Sequence, residues 1–143
     1  MSELIFLSKE QDEKIVLCKK HVQSIEEFLK EPIENGLENI TLIQDRLGKA
    51  INLQSSTAFI MGTATEVLGA AKGLAGDAIM RRTDLGAIKN DTMRLLVAGY
   101  LSKYEGFYAR AERSVKSIDK YIDGLRSILS SEKSQYEKSS HTN

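Results

Sequence analysis

The chain is poor in the residues that build catalytic and metal sites. Its 143 residues include one cysteine, one proline, two histidines and no tryptophan. A single cysteine, Cys18, excludes an intramolecular disulfide framework and fits a reducing compartment, so we expect a cytoplasmic location. Cys18 and His21 share a helix face but give only two metal ligands, which is too few for a zinc site. We therefore predict no metal site.

Enzyme signatures are also missing. The glycines at 69, 73 and 76 follow no predicted strand and lack the Gly-Lys-Ser/Thr ending of a phosphate loop. Nucleophile, base and orienting group cannot be assembled from the available serine, histidine and aspartate residues. The sequence therefore predicts a protein that is not an enzyme and needs no cofactor.

The chain has no net charge and no long apolar run. Twenty basic residues balance twenty acidic ones, which excludes a generally basic nucleic-acid coat. The acidic excess lies before Lys49 and the basic excess after it. The most apolar window, residues 58–80, is interrupted by Glu66, Lys72 and Asp77, so it favours a buried helix over a membrane span.

The dominant pattern is a stripe of apolar residues near the carboxyl end, spaced alternately by four and three. This spacing predicts a long amphipathic helix. Neighbouring Tyr100, Phe107, Tyr121 and Ile128 widen the stripe, which favours a multi-helix bundle over a two-stranded zipper. The predicted core of the bundle or oligomer comprises Val97, Leu101, Tyr104, Tyr108, Ala111, Val115, Ile118, Ile122, Leu125 and Leu129.

Local signals divide the chain into helices. Ser8 and Gln11 form a capping-box pattern, Pro32 marks a break, Gly62 and Thr63 mark a second cap, and Asn90 is a predicted N-cap. We predict an N-terminal extension over 1–8, a single helical domain over 9–132 and a disordered polar tail over 133–143. The predicted helices span about 9–30, 32–61, 64–82 and 91–132. The pattern leaves open whether 33–81 forms one helix or two.

Two long helices joined by a short turn predict an all-α fold, an elongated antiparallel helical hairpin or bundle with heptad, coiled-coil-like packing. The wide apolar faces exceed what one copy covers, so we expect a homo-oligomer. Small residues four apart, Gly69 with Gly73 and Ala71 with Ala75, predict a close helix crossing. Gln44 and Gln54 lie on the apolar stripe of the second helix, either as a register-fixing pair or at a partly solvated edge.

Two surfaces are candidates for binding a partner or a nucleic acid. The first is a basic line opposite the stripe of the last helix, comprising Lys103, Arg110, Arg113, Lys116 and Lys120. Such a line either tracks a phosphate backbone or is an ordinary solvated face. The second is a cluster at the predicted hairpin turn, comprising Arg81, Arg82, Lys89 and Arg94.

These features support three functional hypotheses. The first is a non-enzymatic, homo-oligomeric helical scaffold, adaptor or binding protein that acts on a protein partner through its helix surfaces. The second is a nucleic-acid-binding accessory protein, such as a small viral or plasmid factor that assembles on DNA. The third is a secreted or membrane-active helical protein that uses residues 58–80 as an inserting arm, although a membrane partner is disfavoured by the charges in that window.

Overall fold

A computed structural model describes residues 7–32, 39–80 and 87–141, with the side chains at 79, 80, 87–90 and 134–141 outside that description. The described residues form helices and no strands, which confirms the all-α class. The four helices are α1 (Lys9–Lys30), α2 (Ile40–Gln54), α3 (Thr57–Met80) and α4 (Ala87–His141).

α1 has the bounds that its spacing predicts. The Ser8 Oγ accepts from the Gln11 amide at 3.2 Å, and the Gln11 Oε1 accepts from the Ser8 amide at 3.1 Å. This capping box satisfies two amides at the helix start. The helix ends before Glu31, which is extended as expected for a residue preceding proline.

The second predicted helix does not begin at Pro32 and does not run to residue 61. Pro32 is not helical, residues 33–38 lie outside the description, and α2 begins at Ile40 behind an Asn39 cap. The break between α2 and α3 falls at Ser55 and Ser56 rather than at residues 62–63. There the hydroxyls of Ser55 and Ser56 donate to carbonyls three residues back, at 2.5 and 2.7 Å, and these local bonds compete with helix continuation.

α4 is longer at both ends than the spacing predicts. It begins at Ala87, before the expected cap at Asn90, and runs to His141 through most of the segment predicted as a disordered tail. Once a helix has formed, each further residue adds a hydrogen bond at little cost, and the Glu, Lys and Gln residues of this segment are good helix formers. With 55 residues, α4 is about 80 Å long.

The helices pack with α4 antiparallel to the α2 and α3 arm. Hydrogen bonds join Arg46 to Tyr121 and Gln54 to Asp119, so α2 and α4 run in opposite directions. α1 lies against both arms of this hairpin. Of the two core clusters, the larger contains residues from all four helices: Cys18, Val22, Ile25, Phe28, Ala50, Ile60, Ala64, Phe107, Ala111, Ile118 and Ile122.

The apolar stripe of α4 faces this interior. Val97, Tyr104, Ile118, Ile122 and Leu125 are buried, as is Ala111. Leu101, Tyr108, Val115 and Leu129 are half-buried. Phe107, which the spacing places beside the stripe, is buried as predicted, and Ser114, one heptad later, extends the covered face on the same side.

Two smaller expectations are corrected by the packing. Leu7, placed in the N-terminal extension, is buried in the second core cluster with Val67, Ala71 and Tyr104. Gly69 and Gly73 are exposed, and a Cβ at either position would meet no atom within 4 Å, so they do not mediate a close crossing. The alanines of α3 take the interior positions instead, because they lie on the opposite side of the helix: Ala64, Ala71, Ala75 and Ala78.

Candidate partner-binding surfaces

Arg46 is a buried charged residue that the sequence pattern does not single out. Its Nη2 donates to the carbonyl oxygens of Phe28 at 2.7 Å and of Glu31 at 3.0 Å, at the end of α1. Its Nη1 donates to the Glu31 carboxylate at 2.7 Å, and its Nε donates to the Tyr121 hydroxyl at 3.0 Å. Arg46 thus joins α1, α2 and α4 at one point, and we call this set the Arg46 node.

The partners of Arg46 favour the charged form of its guanidinium. Burial works against the charged guanidinium, but the hydrogen bonds to Glu31 and Tyr121 outweigh it and raise the pKa of Arg46. The guanidinium also lies 3.9 Å from the centre of the Phe28 ring, which adds a cation–π contact. Because its donors are taken up within the protein, the node holds the fold together and is not a binding site.

Cys18 is a core thiol. It is fully buried, and its Sγ lies 3.6 Å from the Ile60 carbonyl oxygen. Burial raises the pKa of the thiol to about 11, so it stays protonated and unreactive at neutral pH. Among the residues that the structure describes, no group of three or more histidine, cysteine or acidic residues is placed to hold a metal ion.

The structure places the residues of the predicted basic line on α4 in two environments: four are exposed and one is paired with α1. Lys103, Arg113, Lys116 and Lys120 are exposed. Arg110 is not free, because its Nε and Nη2 donate to the two carboxylate oxygens of Glu26 on α1, at 3.1 and 2.5 Å. Lys116 pairs with Glu112 one turn away on the same helix. The line therefore borders α1 along one side.

α1 adds two cations along this border, Lys19 and Lys30, that the sequence pattern did not single out. Lys19 lies 6.0 Å from the centre of the Phe107 ring of α4, and Lys30 acts on Glu26 together with Arg113. The hydrogen bond from Arg110, and the positive charges of Arg110, Lys30 and Arg113, lower the pKa of Glu26 below its ordinary 4.5. We define the basic face as Lys19 and Lys30 of α1 with Lys103, Arg110 and Arg113 of α4.

The predicted cluster at the hairpin turn lies mostly outside the described residues. Arg81 and Arg82 fall between α3 and α4, and only the backbone of Lys89 is described, within α4. Arg94 is exposed. Of the four residues, only the side chain of Arg94 is within the described part of the chain, so the predicted cluster stays a prediction.

Exposed apolar side chains mark a different surface near the start of α4. Leu95 is 75% exposed and its neighbour Leu96 is 52% exposed. Leu96 lies seven residues before Lys103 and fourteen before Arg110, so it is on the side of α4 that faces α1 further along. We call the part of the hairpin formed by α3 from Ala75 and by α4 up to Val97 the distal arm.

α1 does not cover the distal arm. Leu7, just before α1, packs with Ala71 and Tyr104, whereas the buried residues of the arm belong to neither core cluster. These buried residues are Ala75, Ala78, Met93 and Val97. The side of α4 that α1 covers elsewhere is thus open to solvent at Leu96.

Two surface depressions lie among the residues that the structure describes, and both are open to solvent. One groove of about 360 Å³ lies between α1 and α2, lined by residues that include Glu27, Glu31 and Lys49. A second, of about 640 Å³, lies along α4 near Arg126 and Ser130. Neither resembles the enclosed, mainly apolar cavity typical of small-molecule sites.

In the described segments, no helix is both long enough and apolar enough to cross a bilayer. Comparisons with protein-family models, with curated proteins and with solved structures find no match to this chain.

Proposed function

We propose that this chain is a non-enzymatic helical binding protein that self-associates and acts as a scaffold or adaptor through its helix surfaces. The observation that supports the proposal is the exposure of two consecutive leucines, Leu95 and Leu96, on adjoining sides of α4 in the distal arm. Removing apolar area from water gives roughly 25 cal/mol per Å², so two exposed leucines on a helix favour a covering partner.

A second copy is the cover that we propose for the distal arm. Among the described residues two helices form the arm; they bury Met93 and Val97 but leave Leu95 and Leu96 exposed, and a second arm would complete a four-helix bundle. The bundle would be elongated, with the heptad, coiled-coil-like packing that the spacing of Val97, Leu101 and Tyr104 predicts. Exposed apolar residues elsewhere offer faces to a protein partner: Val16 and Leu17 on α1, and Ile40, Leu42 and Ile51 on α2.

The test is the mass of the protein in solution. We expect light scattering and native mass spectrometry at micromolar concentration to find a dimer or a larger oligomer. The double variant Leu95→Glu with Leu96→Glu should be monomeric, because glutamate replaces the apolar contact, and its circular dichroism should match that of the wild type. Ser127→Glu, which adds one negative charge at an exposed position on the same helix, is the control and should leave the oligomer intact.

A wild-type protein that is folded and monomeric throughout the micromolar range would refute the self-association. Equal loss of the oligomer in Ser127→Glu and in the leucine variant would refute the role of the distal arm. The proposed location is the cytoplasm, which is supported by a single cysteine that is held as a buried thiol.

A further inference from the structure

We propose that the basic face binds the phosphate backbone of a nucleic acid. Nucleic acid would then be a partner of the helical binding protein proposed above. Because light scattering measures self-association separately, either property can fail without the other.

The basic face brings five cations together in a chain whose formal net charge is zero. Lys19 and Lys30 on α1 and Lys103 and Arg113 on α4 are exposed and flank the Arg110–Glu26 pair. Glu26 is the carboxylate at the centre, and three cations act on it: Arg110, Lys30 and Arg113. With the neighbouring Glu27, two carboxylates face these three cations, so an excess of positive charge remains that would attract an anion from outside.

The arrangement of the cations fits a linear polyanion. Lys19 to Lys30 spans about 17 Å along α1, and Lys103 to Arg113 spans about 15 Å along α4, at 1.5 Å per residue. The two rows lie side by side, because Lys19 approaches Phe107 and Glu26 binds Arg110. A nucleic-acid strand carries a charge about every 3.4 Å, so several phosphates fall within this length.

The aromatic residues beside the face point to contact with phosphates rather than with bases. Tyr104 and Phe107, which lie next to Lys103 and Arg110 along α4, are buried. Stacking of unpaired bases needs exposed rings, so this face favours the backbone of a duplex and sequence-independent binding.

The Arg110–Glu26 ion pair should limit the affinity of the basic face for phosphate. Arg110 gives two hydrogen bonds to Glu26, in the fork geometry that arginine also uses for phosphate. A phosphate and the Glu26 carboxylate would compete for the same donors. Removing the charge of Glu26 should therefore strengthen binding, whereas removing cations should weaken it.

The experiment is fluorescence anisotropy of the full chain with a labelled 24-base-pair DNA duplex at several salt concentrations. We expect binding at low salt that weakens steeply as salt rises, with a slope of about −0.9 for each phosphate contacted. The double variant Lys30→Glu with Arg113→Glu should bind at least about tenfold more weakly. Glu26→Gln should bind severalfold more tightly.

The matched control is Lys49→Glu with Lys72→Glu, which changes the net charge by the same amount at exposed positions on α2 and α3. It should change the affinity far less than the variant of the basic face. Circular dichroism verifies that each variant is folded. A single-stranded oligonucleotide, a poly-glutamate peptide and anionic phospholipid vesicles serve as competitors, and the unlabelled duplex should compete best.

Three results would overturn the proposal. They are the absence of duplex binding at low salt, an equal loss of affinity in the control variant, and stronger competition by poly-glutamate or by vesicles than by the duplex. Weaker binding by a folded Glu26→Gln variant would overturn the competition between phosphate and Glu26.

Discussion

Arg46 and Tyr121 are 75 residues apart in the chain, and the Nε of Arg46 donates to the Tyr121 hydroxyl at 3.0 Å. Through the same guanidinium, the Phe28 and Glu31 carbonyls at the end of α1 are connected to α4. The unpaired carbonyls of a helix end carry partial negative charge, so a buried cation is well placed there.

The Arg46 node should be strongly stabilising. Arg46→Met keeps much of the side-chain volume but removes the side-chain donor to the Glu31 carbonyl and leaves the Phe28 carbonyl with the Glu31 amide alone, so we expect it to lower the free energy of unfolding by about 1.5–3 kcal/mol. Arg46→Lys should recover only part of this, because a single ammonium cannot reach all four acceptors. Urea unfolding followed by circular dichroism measures the differences.

Glu31→Gln is the control for the Arg46 node. The Glu31 side chain is 64% exposed, so loss of its charge should cost no more than about 1 kcal/mol. If Glu31→Gln were as damaging as Arg46→Met, the ion pair rather than the backbone carbonyls would be the source of the stability.

The orientation of α4 about its own axis predicts a large loss of stability at one position and almost none at another nearby. Ile118 is fully buried, so Ile118→Ala should cost about 2–5 kcal/mol in thermal or urea unfolding. Lys120, two residues later and exposed, should change stability by no more than about 0.5 kcal/mol when replaced by alanine. The reverse order of effects would mean that α4 turns its other side to the interior.

The exposed glycines of α3 should be replaceable with a gain in stability. A Cβ at Gly73 meets no atom within 4 Å, so Gly73→Ala should raise the free energy of unfolding by about 0.5–1 kcal/mol by restricting the unfolded chain. Ala71→Gly, at a buried position on the opposite side, should destabilise the protein. A loss of stability in Gly73→Ala would show that this face packs against something.

Cys18 should respond to pH in the alkaline range. Burial raises the pKa of the thiol from its ordinary 9.0 to about 11, so the folded state holds its proton where the unfolded state has lost it. The stabilising contribution is complete below pH 9 and falls as the pH rises toward 11, by about 2–3 kcal/mol in total.

A Cys18→Ala variant separates this effect from other groups that titrate in the same range. The wild type should lose more stability than the variant between pH 9 and 11, as measured by urea unfolding. A thiol reagent at pH 8 should label Cys18 only in denaturant. Rapid labelling of the folded protein would show that the thiol is not buried.

Periodicity predicted the parts of the fold that depend on it. The spacing of Ile118, Ile122 and Leu125 placed the buried side of α4, because apolar residues at intervals of three and four share a helix face. The capping box at Ser8 placed the start of α1, since the bonds that form it are local.

What periodicity could not predict depends on contacts between distant segments. Arg46 reads as a surface residue of α2, and only the arrival of the α1 end and of Tyr121 gives its guanidinium partners. Arg110 likewise reads as free until Glu26, 84 residues away, lies beside it. The break at Ser55 was missed because serines are compatible with a helix as well as with a turn.

Because α1 covers only part of the hairpin, local unfolding should cost different free energies along α4. Amide hydrogens of α4 near Ile118, where three other helices contribute to the core, should exchange with solvent only in global unfolding. Those of α4 near Leu96, where α3 and α4 alone form the arm among the described residues, should exchange through smaller openings. The distal arm can therefore rearrange its backbone at lower cost than the Arg46 node and the middle of α4, which stay closed.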